Sequence, residues 1–299
     1  MLFRSPAGNP LVNVLGSELE ACRIDIMQGR ASEVLPEVEQ RIAKVESWWR
    51  RKAGETVPEA PDVEYLGRVL IGALDIAMTA HVAQQDWNAA LARIDRILEI
   101  KRELHRPVYD IANTRMNRAN VLTRLRRYSE AQAELEACLE IFAGDPTRTA
   151  KVLNSLGDLF DDQGDALQAV ELGRRALAMR QQLPDPVDRV SSHHNLAIYL
   201  AKIGTPSALT ESACHQLAAL AYRVVTGLGA DTSIRNYAID FRRAKAAGTA
   251  FTPPRLAGLL AQPAFRPLAQ WLDQRGVNRE ELQSTLDQYL EVAREASES

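Results

Sequence analysis

Glycine-rich phosphate loops, clustered metal ligands and a recognisable nucleophile–base pair are all missing from this 299-residue chain. Cysteine is scarce: Cys22, Cys138 and Cys214 are odd in number, far apart and never in a Cys-x-x-Cys pair. That argues against a disulfide framework, and it suits a reducing cytoplasm with the three thiols as small core residues. An excess of one charge is absent too. The net charge is −3 and the pI about 6.0, so charge offers no case for nucleic acid or an anionic membrane. No apolar run of membrane-span length stands out. The opening "MLFRSPAGNPLVNVLG" lacks the long apolar centre of a signal peptide. The expectation is a cytoplasmic protein with no cofactor, no metal, no nucleic acid and no membrane among its partners.

Strand signals are almost missing as well. Val and Ile fall at helical spacing among Ala, Leu, Glu, Arg and Gln, the strong helix formers. Breaks recur at Gly29, 54–62, 84–87, 105–107, 125–129, 144–146, 162–165, 183–186 and 202–207. The segments between them are of ordinary helix length, roughly 12–20 residues. An all-α chain of about a dozen helices is predicted.

One stretch supplies a template. "LNSLGDLFDDQGDALQAVELGRRALAMRQQLP" (153–184) places Gly157, Ala169 and Ala176 where helices can cross closely, and Gly164 at a turn. Upstream, "NRANVLTRLRRYSEAQAELEACLEIF" has the same layout, with Ala119, Ala131 and Cys138 at the small positions. "ALDIAMTAHVAQQDWNAALARIDRIL" repeats it more loosely, and "SSHHNLAIYLAKIGTPSAL" repeats the first helix downstream. Ala90, Ala131 and Ala169 fall 41 and 38 residues apart, and Gly157 and Ala197 fall 40 apart. This pattern resembles the tetratricopeptide repeat family, whose basic period is ~34 residues. The longer spacing is similar to the kinesin-light-chain and bacterial versions. The resemblance implies a right-handed α-solenoid of antiparallel helix pairs.

The domain reading is N-terminal helices over 1–62, about four repeats over 63–228, and a helical cap over 229–299. "CRIDIMQGRASEVLPEVEQRIAKVESWW" resembles a degenerate further repeat turning at Gly29, although Pro36 would interrupt its second helix. In the last third, Pro253-Pro254 are expected in the first turn of a helix, and Asn278 with Glu281 forms a capping box. Such a cap would cover the open end of the array.

Catalytic constellations are weak. Asp158, Asp161, Asp162 and Asp165 lack the spacing of a calcium loop and are read as a solvated helix end and turn. His193 and His194 are adjacent and so do not make an i, i+4 metal pair, and Cys214 and His215 are neighbours rather than partners across a fold. Basic stretches such as 124–128 and 241–245 are diluted by acids. No enzyme is expected.

The resemblance puts the first helix of each pair on the concave side. With Leu153, Leu156, Gly157 and Phe160 spent on packing, Lys151, Asn154, Ser155, Asp158, Asp161 and Asp162 are left for the groove. The same register gives Asn113, Met116, Asn117, Asn120, Thr123 and Arg124 before it, and Ser191, His194, Asn195, Ile198 and Lys202 after it. Asn117, Ser155 and Asn195 align; in the first repeat the register falls on Ile76. In kinesin-light-chain repeats, matching asparagines hold a bound peptide backbone, and the carry-over reaches Asn117 and Asn195. An amide carries a donor and an acceptor, so it suits a peptide main chain, but it serves a neighbouring helix or water equally well. The expected function is a non-catalytic adaptor that binds a peptide or protein segment through Asn113, Asn117, Asn120, Arg124, Lys151, Asn154, Asp158, His194 and Asn195. A ligand-responsive sensor acting on a separate effector chain is the alternative, and homo-oligomers are left open.

Overall fold

Helix starts lie where the sequence supplies an acceptor. Asp86, Asp145, Asp165 and Thr205 each take the backbone N–H three residues on, from Ala89, Arg148, Gln168 and Ala208. Each satisfies a donor that the first turn would leave orphaned. The computed structural model describes residues 18–52 apart from 20 and 27, 63–183, 187–246, 248 and 251–298. The opening segment, the break at 54–62 and the prolines at 184 and 186 lie outside the described residues. Among the described residues there is no strand; the fold is an all-α repeat.

The chain divides into two units, Met1–Ile141 and Phe142–Ser299. The first unit contains α1 (Ala31–Lys52), α2 (Val63–Ala83), α3 (Trp87–Glu103), α4 (Val108–Arg124) and α5 (Tyr128–Ile141), each packed on the next. Its core runs from Val38 and Val45 through Leu70, Ala73 and Ala77 to Ile100. Pro36 does not break α1. Its missing N–H would have met the carbonyl of Ser32 near the helix start, so one early bond is lost from a 22-residue helix.

The reading that no apolar run reaches membrane length is corrected by α2. Glu64–Ala83 is long and apolar enough to cross a membrane by length and composition. Its packing gives the reason: α1 covers one side and α3 the other. A helix covered on both sides is apolar nearly all round.

The second unit contains α6 (Pro146–Gln163), α7 (Ala166–Gln181), α8 (Val187–Ile203), α9 (Pro206–Thr226), α10 (Asp231–Ala246), α11 (Leu256–Leu260), a 3₁₀ turn (Pro263–Phe265), α12 (Arg266–Gln274) and α13 (Arg279–Glu298). Val170, Leu177, Leu196, Tyr199 and Leu200 fill the space between α7 and α8. The last helices bury Leu217, Leu220 and Tyr222 of α9 under Leu256, Phe265, Leu268, Trp271 and Leu286.

Asn278 caps α13 as expected, accepting from Glu280 and Glu281. Pro253 and Pro254 are not in a first turn: α11 begins at Leu256, with Arg255 as its N-cap. A residue that precedes proline is pushed out of the helical region, so Pro253 cannot start a helix before Pro254. The Leu256 N–H is bonded instead by Gln283 Oε1 of α13, at 2.7 Å.

Within the helix pairs, the turn uses one residue with left-handed backbone: Gln85, Arg126, Gly164 and Gly204, at φ of 59°, 59°, 87° and 73°. Two of the four carry a side chain that this conformation disfavours. Arg126→Gly is therefore expected to stabilise the first unit by roughly 0.5–1 kcal/mol, the relief of strain exceeding the added chain entropy. A urea titration that showed destabilisation would reverse that balance.

Candidate partner-binding face

Tyr199 organises the second unit. It lies on α8 above Gly157 of α6, where a Cβ would come within 2.9 Å of the ring and of its hydroxyl. The hydroxyl donates to Asp158 Oδ1 at 2.6 Å and lies 3.2 Å from the Asn154 carbonyl. Burial, and then the Asp158 carboxylate, push the phenol far above its ordinary range. Tyr199 thus stays a neutral donor.

Stacking does not leave Asn154, Ser155 and Asp161 free, which corrects the sequence assignment. All three are buried. Asn154 Nδ2 points to Ser192 Oγ at 3.4 Å, and Asp161 receives Lys202 Nζ at 2.6 Å. Asp158 is engaged by Tyr199, and Asp165 caps α7. Three of the four acids of the cluster thus have separate structural tasks, while Asp162 is exposed. Lys151, at the outer end of this stripe, is exposed.

On α8 the same holds. His194 Nδ1 lies 3.1 Å from Asn236 Nδ2 of α10, and burial lowers its pKa with help from Arg223. Asn195 is half-buried beside the Tyr199 hydroxyl. Ser191 is exposed and Ile198 half-buried.

The first unit differs. Along α4, Asn113 is half-buried, while Asn117, Asn120 and Arg124 are exposed. Their spacing of 4, 3 and 4 residues keeps them on one face. Among the described residues no hydrogen bond or ion pair engages Asn113, Asn117 or Asn120. Thr123 leaves the set: it is buried and its hydroxyl donates to the Ala119 carbonyl. Ile76 of α2 is buried in the core, and Met116 is half-buried. The structure therefore sorts nine candidate residues by availability, with three unengaged amides on α4.

Sequence reasoning missed the buried polar centres, among them two between neighbouring helices. One joins Lys101 at the end of α3 to Asp110 and Thr114 of α4, at 2.7 and 2.8 Å. The other brings His193 of α8 to His215 of α9. A signal for the second was present: Val190, His193, Ala197 and Leu200 form one stripe at helical spacing.

The thiols are buried and free. Burial raises the pKa of each, that of Cys138 to about 11, so none is poised as a thiolate. No group of three or more His, Cys, Asp or Glu gathers as metal ligands among the described residues.

Residues 110–182 match the family model described as Tetratricopeptide repeat. The fold is similar to that of a variant chain from Podosopora anserina, assigned as a kinesin light chain with nearly identical TPR-like repeats. Identity is 18%, with 71% of this chain and 96% of that one covered at a TM-score of 0.50. BtubC (BKLC) from P. vanneervenii shares 20% identity, over 72% of this chain and 90% of its own, at a TM-score of 0.47. No curated protein sequence matches the chain.

Proposed function

We propose, from the premise that the chain is a tetratricopeptide repeat protein, that it is a non-catalytic adaptor which holds an extended peptide or protein segment. The observation that carries this reading is the stripe Asn113–Asn117–Asn120 on α4, which no hydrogen bond or ion pair engages among the described residues. Seven residues of helix rise about 10 Å. That matches about three residues of extended chain. Each amide can answer one main-chain N–H and one C=O of such a segment.

In the second unit Lys151, Asn195 and His194 extend the reading, with less to give. His194 already meets Asn236, and Asn195 is half-buried beside Tyr199, so a partner would compete with those contacts. Asn154 and Asp158 support the helices rather than the partner. No catalytic step belongs to this reading, and it places the protein in the cytoplasm.

Partner capture from the native host, identified by mass spectrometry, comes first; affinity is then measured by calorimetry. Asn117→Ala with Asn120→Ala is expected to weaken binding by about tenfold or more, since each buried amide pair contributes about 1 kcal/mol. Alanine is the better helix former, so the melting temperature should hold or rise. Unchanged affinity in the double variant would remove α4 from the binding face.

A further inference from the structure

The second unit holds a contact that a binding face does not use. His193 and His215 meet with their Nδ1 atoms 2.8 Å apart, and both rings are almost wholly buried. Two such nitrogens share a hydrogen bond only when one carries a proton and the other offers a lone pair.

The surroundings choose the arrangement. His215 turns Nε2 toward Glu211 Oε1, 3.8 Å away. Arg174 of α7 holds that carboxylate, at 2.8 and 2.9 Å. A proton on His215 Nε2 leaves its Nδ1 as acceptor, so His193 donates from Nδ1, and both rings are neutral.

The C-terminal helices rest on this pair. Phe265, in the turn between α11 and α12, stacks on His193 at 5.9 Å and tilts against His215 at 5.1 Å. Tyr222 of α9 stacks on His193 from another side, and Trp271 of α12 packs on Tyr222 at 4.8 Å.

We propose that His193 and His215 form an acid-sensitive latch: the neutral pair holds the Pro263–Phe265 turn and α12 onto α8 and α9, and proton uptake releases them. A first added proton puts an imidazolium among Phe265 and Tyr222. A second leaves two N–H groups facing each other at a distance that only a donor and an acceptor tolerate.

Among the charged neighbours Arg189 favours a neutral His193 and Arg174 a neutral His215, Glu211 favours a charged His215, and burial outweighs it. On α8, Arg189 approaches Tyr222 Oη at 3.5 Å, while His194 faces α10. On α9 are Glu211, Cys214 and Tyr222, and from α7 comes Arg174. Arg275 lies over the Trp271 ring at 4.3 Å, and Gln262 reaches Cys214 Sγ at 3.7 Å. Glu211 is the one anion among these groups, and Arg174 offsets part of its pull on His215.

Burial holds both imidazoles below their ordinary value of 6.5. The unfolded or undocked state therefore binds more protons below that value. The latch is fully effective above pH 6.5 and weakens as the pH falls beneath it. Glu211 is held down to about 2, first by His215 and, against the cost of burial, by Arg174. Its own titration belongs to more acid conditions.

Hydrogen–deuterium exchange of the full chain, corrected for the intrinsic pH dependence, tests this. Between pH 6.5 and 5, exchange in residues 256–276 should rise several-fold, bounded by about tenfold per pH unit for each proton taken up. Exchange in α4 should stay constant. His193→Phe with His215→Leu should flatten the profile; an unchanged profile in that variant overturns the latch. Should the variant fail to fold by circular dichroism, nitrogen NMR of the histidines in the unaltered chain decides. One Nδ1 protonated and one not, titrating together with the opening, supports the latch. Titration with no change in exchange over 256–276 overturns it.

Discussion

Gly157→Leu is expected to destabilise the second unit by about 3 kcal/mol, the upper range for overfilling a packed interior. The added side chain would enter space held by Tyr199, whose ring and hydroxyl already stand 2.9 Å from a Cβ at that position. The ring cannot step aside cheaply, because its hydroxyl is bonded to Asp158 and lies against the Asn154 carbonyl. Gly157→Ala poses a finer question. Alanine gains about 1 kcal/mol of helix propensity over glycine, and the clash opposes it. Tyr199→Phe removes one of the closest atoms and the bond that fixes the ring. Gly157→Ala should therefore cost less in the Tyr199→Phe background than in the native one, a coupling that a double-mutant cycle reads directly. Urea unfolding followed by circular dichroism supplies the numbers. A Gly157→Leu protein as stable as the original would mean that Tyr199 does not set the spacing of α6 and α8.

Asp110→Asn is expected to cost about 2–3 kcal/mol in the first unit, since it leaves the buried Lys101 ammonium without its carboxylate. Lys101 is buried and gives its three donors to the Asp110 carboxylate, the Asp110 carbonyl and the Thr114 hydroxyl. The cost stays below the range for a fully enclosed pair because the Asp110 side chain is 31% exposed and Arg106 also reaches it. Lys101→Met together with Asp110→Asn should recover most of the loss, as it removes the stranded charge.

The same pair sets an acid dependence. Burial raises the Asp110 carboxyl, but the bonds from Lys101 and Arg106 outweigh it and hold the group below its ordinary 3.8. The unfolded chain then binds the proton first. The stabilisation is whole above the ordinary value and is lost as the pH falls through the folded one. This lies in a more acid range than the histidine latch, so one titration of stability separates the two. Equal acid sensitivity in the native and Asp110→Asn chains would refute the assignment.

The helix pairs were legible because their causes are local. The breaks at 84–87, 144–146, 162–165 and 202–207, the turn at Gly164 and the small residues at Gly157, Ala169 and Ala176 can be recognised within a few residues of chain. The identity of the free polar residues was not local. Asn117 and Ser155 occupy the same register, yet Asn117 is exposed and Ser155 is buried. Asn154 is answered by Ser192, 38 residues on, and no periodicity along α6 could report that. Gly157 announced a close approach of helices, but not that Tyr199 makes it, nor that its bond to Asp158 withdraws a residue from the proposed face.

The sequence by itself determined the class of fold, the pairing of helices and the close approach at small residues, since those follow from period, capping and side-chain size. Only the tertiary structure decided which polar groups are spent and which remain. It buried Asn154 and Asp161, joined Lys101 to Asp110, and set His193 against His215 beneath Phe265. The physical reason is that a buried polar group must find its partner wherever packing brings one, and packing joins residues that sequence keeps far apart.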